Sequence, residues 1–103
     1  MIRAAVFRQP VAASINAGVQ KFKDYKDGVF DTSGAIIGAC KVGANHWVTI
    51  VGWGVDSSSK KKYWKLKNSW GTSWGVLGYM SIVRTGDGAG ECGVQNEIYY
   101  ALD

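Results

Sequence analysis

Residues 46 to 54 constrain the fold more than any other part of this chain, because nearly all of them are β-branched, aromatic or glycine: HWVTIVGWG. Apolar residues at both odd and even positions are typical of a strand that is buried on both faces. After a polar loop, residues 63 to 69 alternate as YWKLKNS, which indicates a second strand with one face in water. A hairpin folded about residue 57 pairs positions whose numbers sum to about 114. We therefore expect His46 to lie opposite Asn68 or one position away.

The rest of the second half also favours β structure. A glycine-rich turn over residues 71–78 precedes an alternating run over residues 79–84, and a short extended segment follows over residues 97–102. The chain has 103 residues, enough for one domain, and no repeat or change of composition divides it. We expect a single domain over residues 1–103, of the mainly β (α+β) class with antiparallel strands.

The first half contains two patterns that conflict. Residues 9–11, QPV, favour an extended chain, because the residue before a proline avoids the helical region. Ile15, Val19 and Phe22 are spaced as on one face of an amphipathic helix that ends near Tyr25. One short helix is therefore expected in this part of the chain.

Charge and hydropathy exclude several functions. The net charge is +4, from 12 basic and 8 acidic residues, and three of the basic residues form the run 60–62, KKK. No arginine or aromatic residue is interleaved with these lysines, so we interpret them as a loop tip and expect no nucleic-acid partner. No stretch approaches the roughly 18 apolar residues of a membrane span, and the first residues are too short an apolar run for a signal peptide. We expect no membrane partner and no signal peptide in this chain.

The two cysteines, Cys40 and Cys92, are too far apart for a CxxC redox pair or a four-ligand zinc site. We expect no metal and no cofactor. Two alternatives remain open for the cysteines at this point: a disulfide, or two reduced thiols in the core.

His46 is the one histidine of the chain, and a single histidine in a strand is more often structural than catalytic. The predicted neighbour Asn68 lies on an otherwise apolar face, where a primary amide needs a hydrogen-bond partner. An amide oxygen that accepts an imidazole N–H fixes the tautomer and direction of the ring without neutralising it. The second ring nitrogen is then available to a nucleophilic serine or cysteine. The pair is therefore a candidate for nucleophilic catalysis, and its spacing alone is only moderately specific for that function.

Two segments around this pair resemble a known family. Residues 45–48 (NHWV) with 51–54 (VGWG), and residues 67–75 (KNSWGTSWG) before Gly78-Tyr79, resemble the histidine and asparagine blocks of papain-like cysteine peptidases. Residues 9–13 resemble the strand that opens the second domain of that family, and residues 92–94 resemble its late disulfide cysteine. The resemblance implies the right-hand, β-rich, barrel-like half of the papain-like fold. It also implies extended chain up to residue 16, with the helix starting near residue 18.

The resemblance assigns roles to individual residues. His46 resembles the catalytic general acid and base, and Asn68 resembles its orienting partner. Trp70 and Trp74 resemble the tryptophans that shield their hydrogen bond, and Trp70 also lines the leaving-group side of the cleft. Cys40 and Cys92 resemble a structural disulfide, which loop entropy makes worth about 4 kcal/mol.

The resemblance also implies a substrate-binding pocket. Its residues in this chain are Ser14, Ala44, Asn45, Trp47 and Glu97, together with Trp70. Glu97 at the base of the pocket favours a basic side chain at the second position before the scissile bond, or tolerates one beside hydrophobic side chains, because a partly desolvated carboxylate gains from an arginine partner. The alternative for Glu97 is an ordinary surface glutamate. Trp47 is bulkier than the small residue usual after the histidine, which changes the expected size of the pocket.

The family's nucleophile is missing from this chain. Its cysteine belongs to a signature roughly 130 to 150 residues before the histidine. The glutamine of the oxyanion hole also lies upstream, and residue 9 is not that glutamine. We therefore expect a His/Asn half-site that is inactive alone and needs a complementary nucleophile domain. An exposed interdomain face would favour self-association.

Two further expectations concern substrate and compartment. The family implies a peptide or protein substrate, and a lysosomal, vacuolar or secreted location. The alternative function is a non-catalytic peptide-binding or interaction module that retains the wall of the substrate cleft.

Overall fold

A computed structural model describes residues 11–18, 20–32, 40, 45–86, 88 and 90–95, and the backbone of residues 97–99. These residues form six strands, one short helix and one 3₁₀ turn. The elements in chain order are β1 Val11–Ile15, α1 Gln20–Lys23, β2 Val29–Phe30, β3 His46–Val55, β4 Lys62–Lys67, β5 Tyr79–Val83, the 3₁₀ turn Glu91–Gly93 and β6 Glu97–Tyr99.

The six strands form one sheet in the order β2-β5-β4-β3-β1-β6. Neighbouring strands are antiparallel except β2 and β5, which run parallel. The predicted mainly β fold with one short helix is confirmed, and the two-residue strand β2 makes its sheet mixed. A parallel partner requires a long crossover, and the whole segment from residue 31 to residue 78 connects β2 to β5.

The conflict in the first half is resolved in favour of extended chain. Ile15 ends strand β1 opposite His46, while Phe22 is buried in helix α1, which begins at Gln20. The turn between them is held by side chains, because Asn16 Oδ1 accepts the N–H of Gly18 at 2.9 Å and Asn45 Oδ1 accepts that of Ala17 at 2.9 Å. The helix-like spacing therefore arises from two different elements that bury side chains in the same core. Val19 lies outside the described residues.

One face of the central strands forms the core. The buried residues of this face alternate along each strand and lie opposite one another on neighbouring strands. They are Val11, Ala13, Ile15, Val48, Ile50, Trp64, Leu66, Met80 and Ile82. The prediction that residues 46–54 are buried on both faces is wrong. Trp47 is 52% exposed on the second face, because no described element covers β3 there.

The hairpin of β3 and β4 is longer at its turn than the sequence predicts. Asp56 and Lys61 close the turn through a backbone bond of 2.8 Å, and the Asp56 carboxylate accepts the N–H and the hydroxyl of Ser59, each at 2.8 Å. Farther along, Ile50 pairs with Leu66 and Gly52 with Lys65, so Val51 is an extra residue in a β-bulge.

The ladder ends with Thr49 opposite Lys67, and the position opposite Asn68 is therefore that of Val48. His46 is a diagonal neighbour of Asn68 on the same face, two residues from the position facing it. The predicted proximity is confirmed, although the predicted register was two residues off. An uninterrupted register from the turn would have placed Thr49 opposite Asn68 and His46 on the other face. The bulge at Val51 therefore brings the two polar side chains together.

The predicted disulfide is present. Cys40 and Cys92 are bonded, and the Cys92 carbonyl accepts the N–H of Asn16 at 2.9 Å. Next to Cys92, the buried Glu91 carboxylate accepts the N–H and hydroxyl of Thr32. The Thr32 hydroxyl in turn accepts the N–H of Cys40 at 2.7 Å. The disulfide and this polar chain connect the same two segments.

Candidate active site

His46 and Asn68 form a direct hydrogen bond between side chains. Nε2 of His46 lies 2.7 Å from Oδ1 of Asn68, and the same oxygen lies 2.7 Å from the backbone nitrogen of Ser69. A backbone N–H can only donate, so this Asn68 atom acts as an acceptor. Nε2 of His46 must therefore carry the proton that completes the bond. In the neutral ring, Nδ1 then has a lone pair and is the basic nitrogen.

Asn68 is held by its surroundings as well as by these two bonds. It follows the last residue of β4, its side chain is 6% exposed, and its backbone N–H donates to the Gly78 carbonyl at 3.0 Å. Its Nδ2 is buried and has no hydrogen-bond partner among the described residues. A buried amide with two donors on its oxygen has little freedom to turn, because turning would leave both donors without an acceptor.

Trp70 covers the imidazole of His46. The centroids of the two rings lie 5.0 Å apart with 30° between their planes, and Trp70 is 38% exposed. Trp74 contacts Trp70 edge-on at 5.4 Å and is 8% exposed, and its Nε1 donates to the carbonyl of Lys23 at 3.1 Å. Trp70 is thus the tryptophan in contact with the catalytic candidate, whereas Trp74 connects Trp70 to helix α1. The shielding role that the sequence predicts for both remains a prediction.

The loop that holds these tryptophans needs glycine for steric reasons. Gly75 has φ +60°, and a Cβ at this position would lie 2.5 Å from the Tyr79 carbonyl oxygen. A side chain here would push apart the two ends of the turn that place Trp74 against α1. In the segment that links Asn68 to β5, Gly75 therefore permits the turn, and Trp70 and Trp74 make the aromatic contacts.

Three of the predicted pocket positions form one row across the sheet. Ser14 of β1 pairs with Trp47 of β3 on one side and with Glu97 of β6 on the other. Ser14 is buried and Trp47 is half exposed. The side chain of Glu97 and the whole of Ala44 lie outside the described residues. Neighbouring residues of a strand alternate, so this row occupies the face of the sheet opposite to His46.

Asn45 makes contacts that stabilise the backbone. Its Oδ1 accepts the Ala17 N–H at 2.9 Å, its backbone N–H donates to the Ile15 carbonyl at 2.9 Å, and its Nδ2 lies 3.3 Å from Asn16 Oδ1. These bonds fasten the start of β3 to the end of β1. Asn45 thereby fixes the position of His46, in addition to any contact with substrate.

A cavity of about 350 Å³ continues from Trp47 along the same face. Ala12, Thr49 and Lys67 line it and form the next cross-strand row, and it reaches Asn68 and Ser69 at the end of β4. Reasoning from the sequence missed these three residues. The alternation that places residues 14 and 47 on one face was the available signal, since it also selects residues 12 and 49.

The described residues provide an imidazole with a defined basic nitrogen and no free thiol. Both cysteines of the chain are in the disulfide, so no thiol is available. Within residues 11–18, 20–32, 40, 45–86, 88 and 90–95, no cluster of three or more potential metal ligands occurs. The described helices include none long and apolar enough to cross a membrane.

Comparison with known proteins gives a consistent result. The family model described as papain family cysteine protease matches residues 1–102. Cysteine endopeptidase Rep1 of Oryza sativa subsp. japonica is 42% identical over 99 residues, which are 95% of this chain and 25% of that protein. Fruit bromelain of Ananas comosus is 44% identical over 91 residues, 87% of this chain and 24% of that protein. The chain thus spans about a quarter of the length of these relatives.

Solved structures agree with the relatives. The bromelain protease of Ananas comosus, solved with an inhibitor, superposes with a TM-score of 0.83 at 38% identity, covering 99% of this chain and 45% of that one. The proform of the ragweed pollen allergen Amb a 11, a cysteine protease, gives a TM-score of 0.79 at 38% identity, covering 91% of this chain and 26% of that one. The sheet, the short helix and the His46–Asn68 segments all fall within residues 1–102, which the family model matches. This chain belongs to the papain family of cysteine proteases.

Proposed function

We propose that this chain is the His/Asn half of the active site of a papain-like cysteine endopeptidase, inactive alone and competent when a complementary domain supplies the nucleophilic cysteine. The observation that carries the proposal is the 2.7 Å hydrogen bond from His46 Nε2 to Asn68 Oδ1, with the Trp70 ring in contact with the imidazole. This bond leaves Nδ1 of His46 as the basic nitrogen of the ring. His46 is the first residue of β3. A thiol on a facing domain could meet the ring there.

Each step of the proposed reaction uses Nδ1 of His46. It accepts the proton of the cysteine thiol, and the thiolate attacks the peptide carbonyl carbon. The resulting imidazolium donates that proton to the leaving amine as the C–N bond breaks, which leaves a thioester. Nδ1 then takes a proton from water, the hydroxide displaces the thiolate from the acyl group, and the acid product leaves. Asn68 keeps the ring in one orientation through both proton transfers.

The cross-strand row of Ser14, Trp47 and Glu97 is proposed as the pocket for the second side chain before the scissile bond. The support is the strand register, which makes Ser14 the neighbour of both other positions. A carboxylate at residue 97 would pair with an arginine or lysine side chain, and the half-exposed Trp47 ring would favour the same cation. Substrates with arginine at this position should be cleaved faster than those with leucine, and Glu97→Gln should remove the difference.

Partner and compartment follow from the same proposal. The complementary nucleophile domain is the required partner, and a peptide or protein is the substrate. Without that domain, exposed aromatic side chains such as Trp47 and Trp70 favour self-association. The Cys40–Cys92 disulfide supports an oxidising location, lysosomal, vacuolar or secreted.

The second candidate function is a peptide-binding module without catalysis. The observation that favours it is the cavity of about 350 Å³ beside Trp47, in a chain whose cysteines are both bonded. Such a module would bind peptides with the same affinity whether or not His46 is present. A catalytic half-site would lose turnover with His46→Ala and keep its peptide affinity.

The deciding experiment mixes this chain with a separately produced nucleophile domain from a papain-family relative. A fluorogenic peptide should be cleaved only by the mixture, and only with a reducing agent that leaves the Cys40–Cys92 disulfide intact. His46→Ala should abolish the signal, and Lys60→Gln at the exposed hairpin tip should leave it unchanged. Turnover by the pure chain that His46→Ala removes would contradict the proposal, as would a folded mixture that binds the peptide and never cleaves it.

A further inference from the structure

The turn before β5 holds a leucine in a conformation that leucine does not favour. Val76 and Tyr79 exchange two backbone hydrogen bonds of 2.9 and 3.0 Å, and the residues between them, Leu77 and Gly78, have φ +54° and +91°. Two successive positive φ values define the type I′ turn, which asparagine or aspartate followed by glycine normally occupies. Leucine has a Cβ that crowds the backbone in this region and no polar group to compensate. The turn geometry therefore does not account for Leu77.

Burial does not account for it either. Leu77 is 73% exposed and its neighbour Val76 is 50% exposed, whereas Met80 on the same hairpin is 2% exposed. Two adjacent large apolar side chains at the surface form a patch of the kind that marks contact with another molecule. A contact with another molecule would account for a leucine that neither suits its turn nor fills the core.

The patch borders a cavity. The space measures about 340 Å³, and its walls include Val76, Leu77, Met80 and the rings of Tyr25 and Tyr79. This volume lies at the small end of the range for ligand pockets, about 300 to 1,000 Å³. Lys65 also lines the cavity, and it lies on the face of β4 opposite to Leu66 and to the following Asn68. The cavity is therefore separate from the His46–Asn68 site.

Lys65 gives the cavity its charge. Among the described residues that line the cavity it is the only one with a formal charge, and its Nζ lies 5.2 Å from the centroid of the Tyr79 ring. No carboxylate of the described residues forms an ion pair with it. The cavity thus combines an apolar wall with one cation, a combination that complements an apolar side chain next to an anion.

We propose that this cavity binds an acidic peptide segment of a partner protein, in which an aliphatic side chain is followed directly by a carboxylate. The aliphatic side chain packs between Leu77 and the tyrosine rings, and the carboxylate pairs with Lys65. Exposed ion pairs contribute little affinity, so the apolar contact supplies most of the binding and Lys65 supplies the selectivity. The proposal concerns binding alone and does not depend on catalysis.

The test uses three tetrapeptide probes, with acetylated and amidated ends, titrated into the isotope-labelled chain and followed by NMR. Their sequences are Gly-Leu-Asp-Gly, Gly-Leu-Asn-Gly and Gly-Ser-Asp-Gly. The first should give saturable shifts at residues 76–79 and at Lys65. The second should bind at least three-fold more weakly, and the third should give no saturable shift.

Three variants separate binding from structure. Asparagine suits the turn better than leucine, so Leu77→Asn should raise the melting temperature. The same change should weaken the binding of the first probe at least five-fold. Lys65→Gln should weaken the first probe at least three-fold and leave the second unchanged. Lys62→Gln makes the same change of charge on the same strand outside the cavity, and it should alter neither probe.

Three results would overturn the proposal. The first is the absence of saturable shifts at residues 76–79 at millimolar probe. The second is a set of shifts confined to His46 and Asn68, which would make the probe a substrate mimic. The third is a lower melting temperature for Leu77→Asn with unchanged binding, which would make Leu77 a structural residue.

Discussion

The two faces of strand β3 differ in how their polar and aromatic groups are held. On one face, His46 is hydrogen-bonded to Asn68 and its ring is in contact with Trp70. Trp70 in turn contacts Phe22 of helix α1. On the other face, the adjacent residue Trp47 is 52% exposed beside an open cavity. Neighbours in sequence therefore have opposite surroundings.

We infer from this difference that the two faces of β3 have different functions. Proton transfer requires a ring fixed in one tautomer and direction, and the hydrogen bond from His46 to Asn68 provides that. Recognition requires an accessible surface whose residues can change without disturbing the fold. We expect substitutions on the His46 face to change turnover, and substitutions on the Trp47 face to change affinity.

The largest expected effect comes from the direct comparison of His46→Ala with Trp47→Ala in the complemented enzyme. His46→Ala should lower kcat by about 10³-fold or more, because the general acid and base is lost. Trp47→Ala should raise KM and leave kcat within a few-fold, because the proposed pocket places the indole beside the substrate and away from the reacting atoms. Steady-state kinetics on one fluorogenic peptide measure both. Equal changes of kcat in the two variants would contradict the division between the faces.

Removing the disulfide should affect both faces together. The double change Cys40→Ser and Cys92→Ser should lower the free energy of unfolding by about 4 kcal/mol through loop entropy. Guanidinium unfolding followed by tryptophan fluorescence measures this loss. Ser57→Ala, at the exposed hairpin tip, is the control and should change nothing. A loss below about 1 kcal/mol would mean that the bonds from Glu91 to Thr32 and from Thr32 to Cys40 hold the segment without the disulfide.

Asn68→Ala tests only the face of β3 that carries His46. It leaves the Nε2–H of His46 and the N–H of Ser69 without their common acceptor, which should destabilise the chain by about 1 to 3 kcal/mol. In the complemented enzyme it should lower kcat more than it raises KM, because the ring is less well oriented. Ser69→Ala keeps its backbone N–H and should match the unmodified chain. Unchanged kcat in a folded Asn68→Ala variant would remove the orienting role of Asn68.

The smallest expected effect is at the hairpin tip, remote from both faces. The hydrogen bonds from the backbone N–H and hydroxyl of Ser59 lower the pKa of Asp56 below its ordinary value. A carboxyl with a lowered pKa in the folded state stabilises the fold above its unfolded pKa, and this contribution is lost as the pH falls through the folded pKa. Asp56→Asn should therefore reduce the melting temperature slightly at neutral pH, and the difference should narrow in acid.

Asp27→Asn provides the control for that experiment, since it removes the same charge from another exposed turn. It should not reproduce the pH-dependent difference. A difference between Asp56→Asn and the unmodified chain that stays constant from neutral pH into acid would show that the carboxylate form of Asp56 does not matter to the turn.

Much of the fold could be predicted because its strands have clear patterns. The alternation of Trp64 and Leu66 with lysines predicted the buried face of β4, and the polar Asn68 on that face predicted a partner, which is His46. The register could not be predicted, because the bulge at Val51 and the capped turn at Asp56 each shift the pairing without a strong local signal.

Two other features also escaped sequence reasoning. Strand β2 has two residues, too few for any periodicity, and its parallel pairing with β5 depends on the tertiary packing of Phe30. The cavity row of Ala12, Thr49 and Lys67 combines three strands, and it becomes visible only when their register is known. The site within one hairpin was therefore predictable from residue patterns. Of the rows built across several strands, the residues Ser14, Trp47 and Glu97 came from the family resemblance, and the residues of the cavity row were missed.

The central claim is that Asn68 holds His46 with its proton on Nε2, and long-range ¹H–¹⁵N NMR of the imidazole measures it directly. The spectrum of the chain at a pH where the ring is neutral should show a protonated Nε2 and an unprotonated Nδ1, and Asn68→Ala should produce a mixture of the two tautomers. A protonated Nδ1 in the unmodified chain, or a tautomer that Asn68→Ala leaves unchanged, would contradict the account.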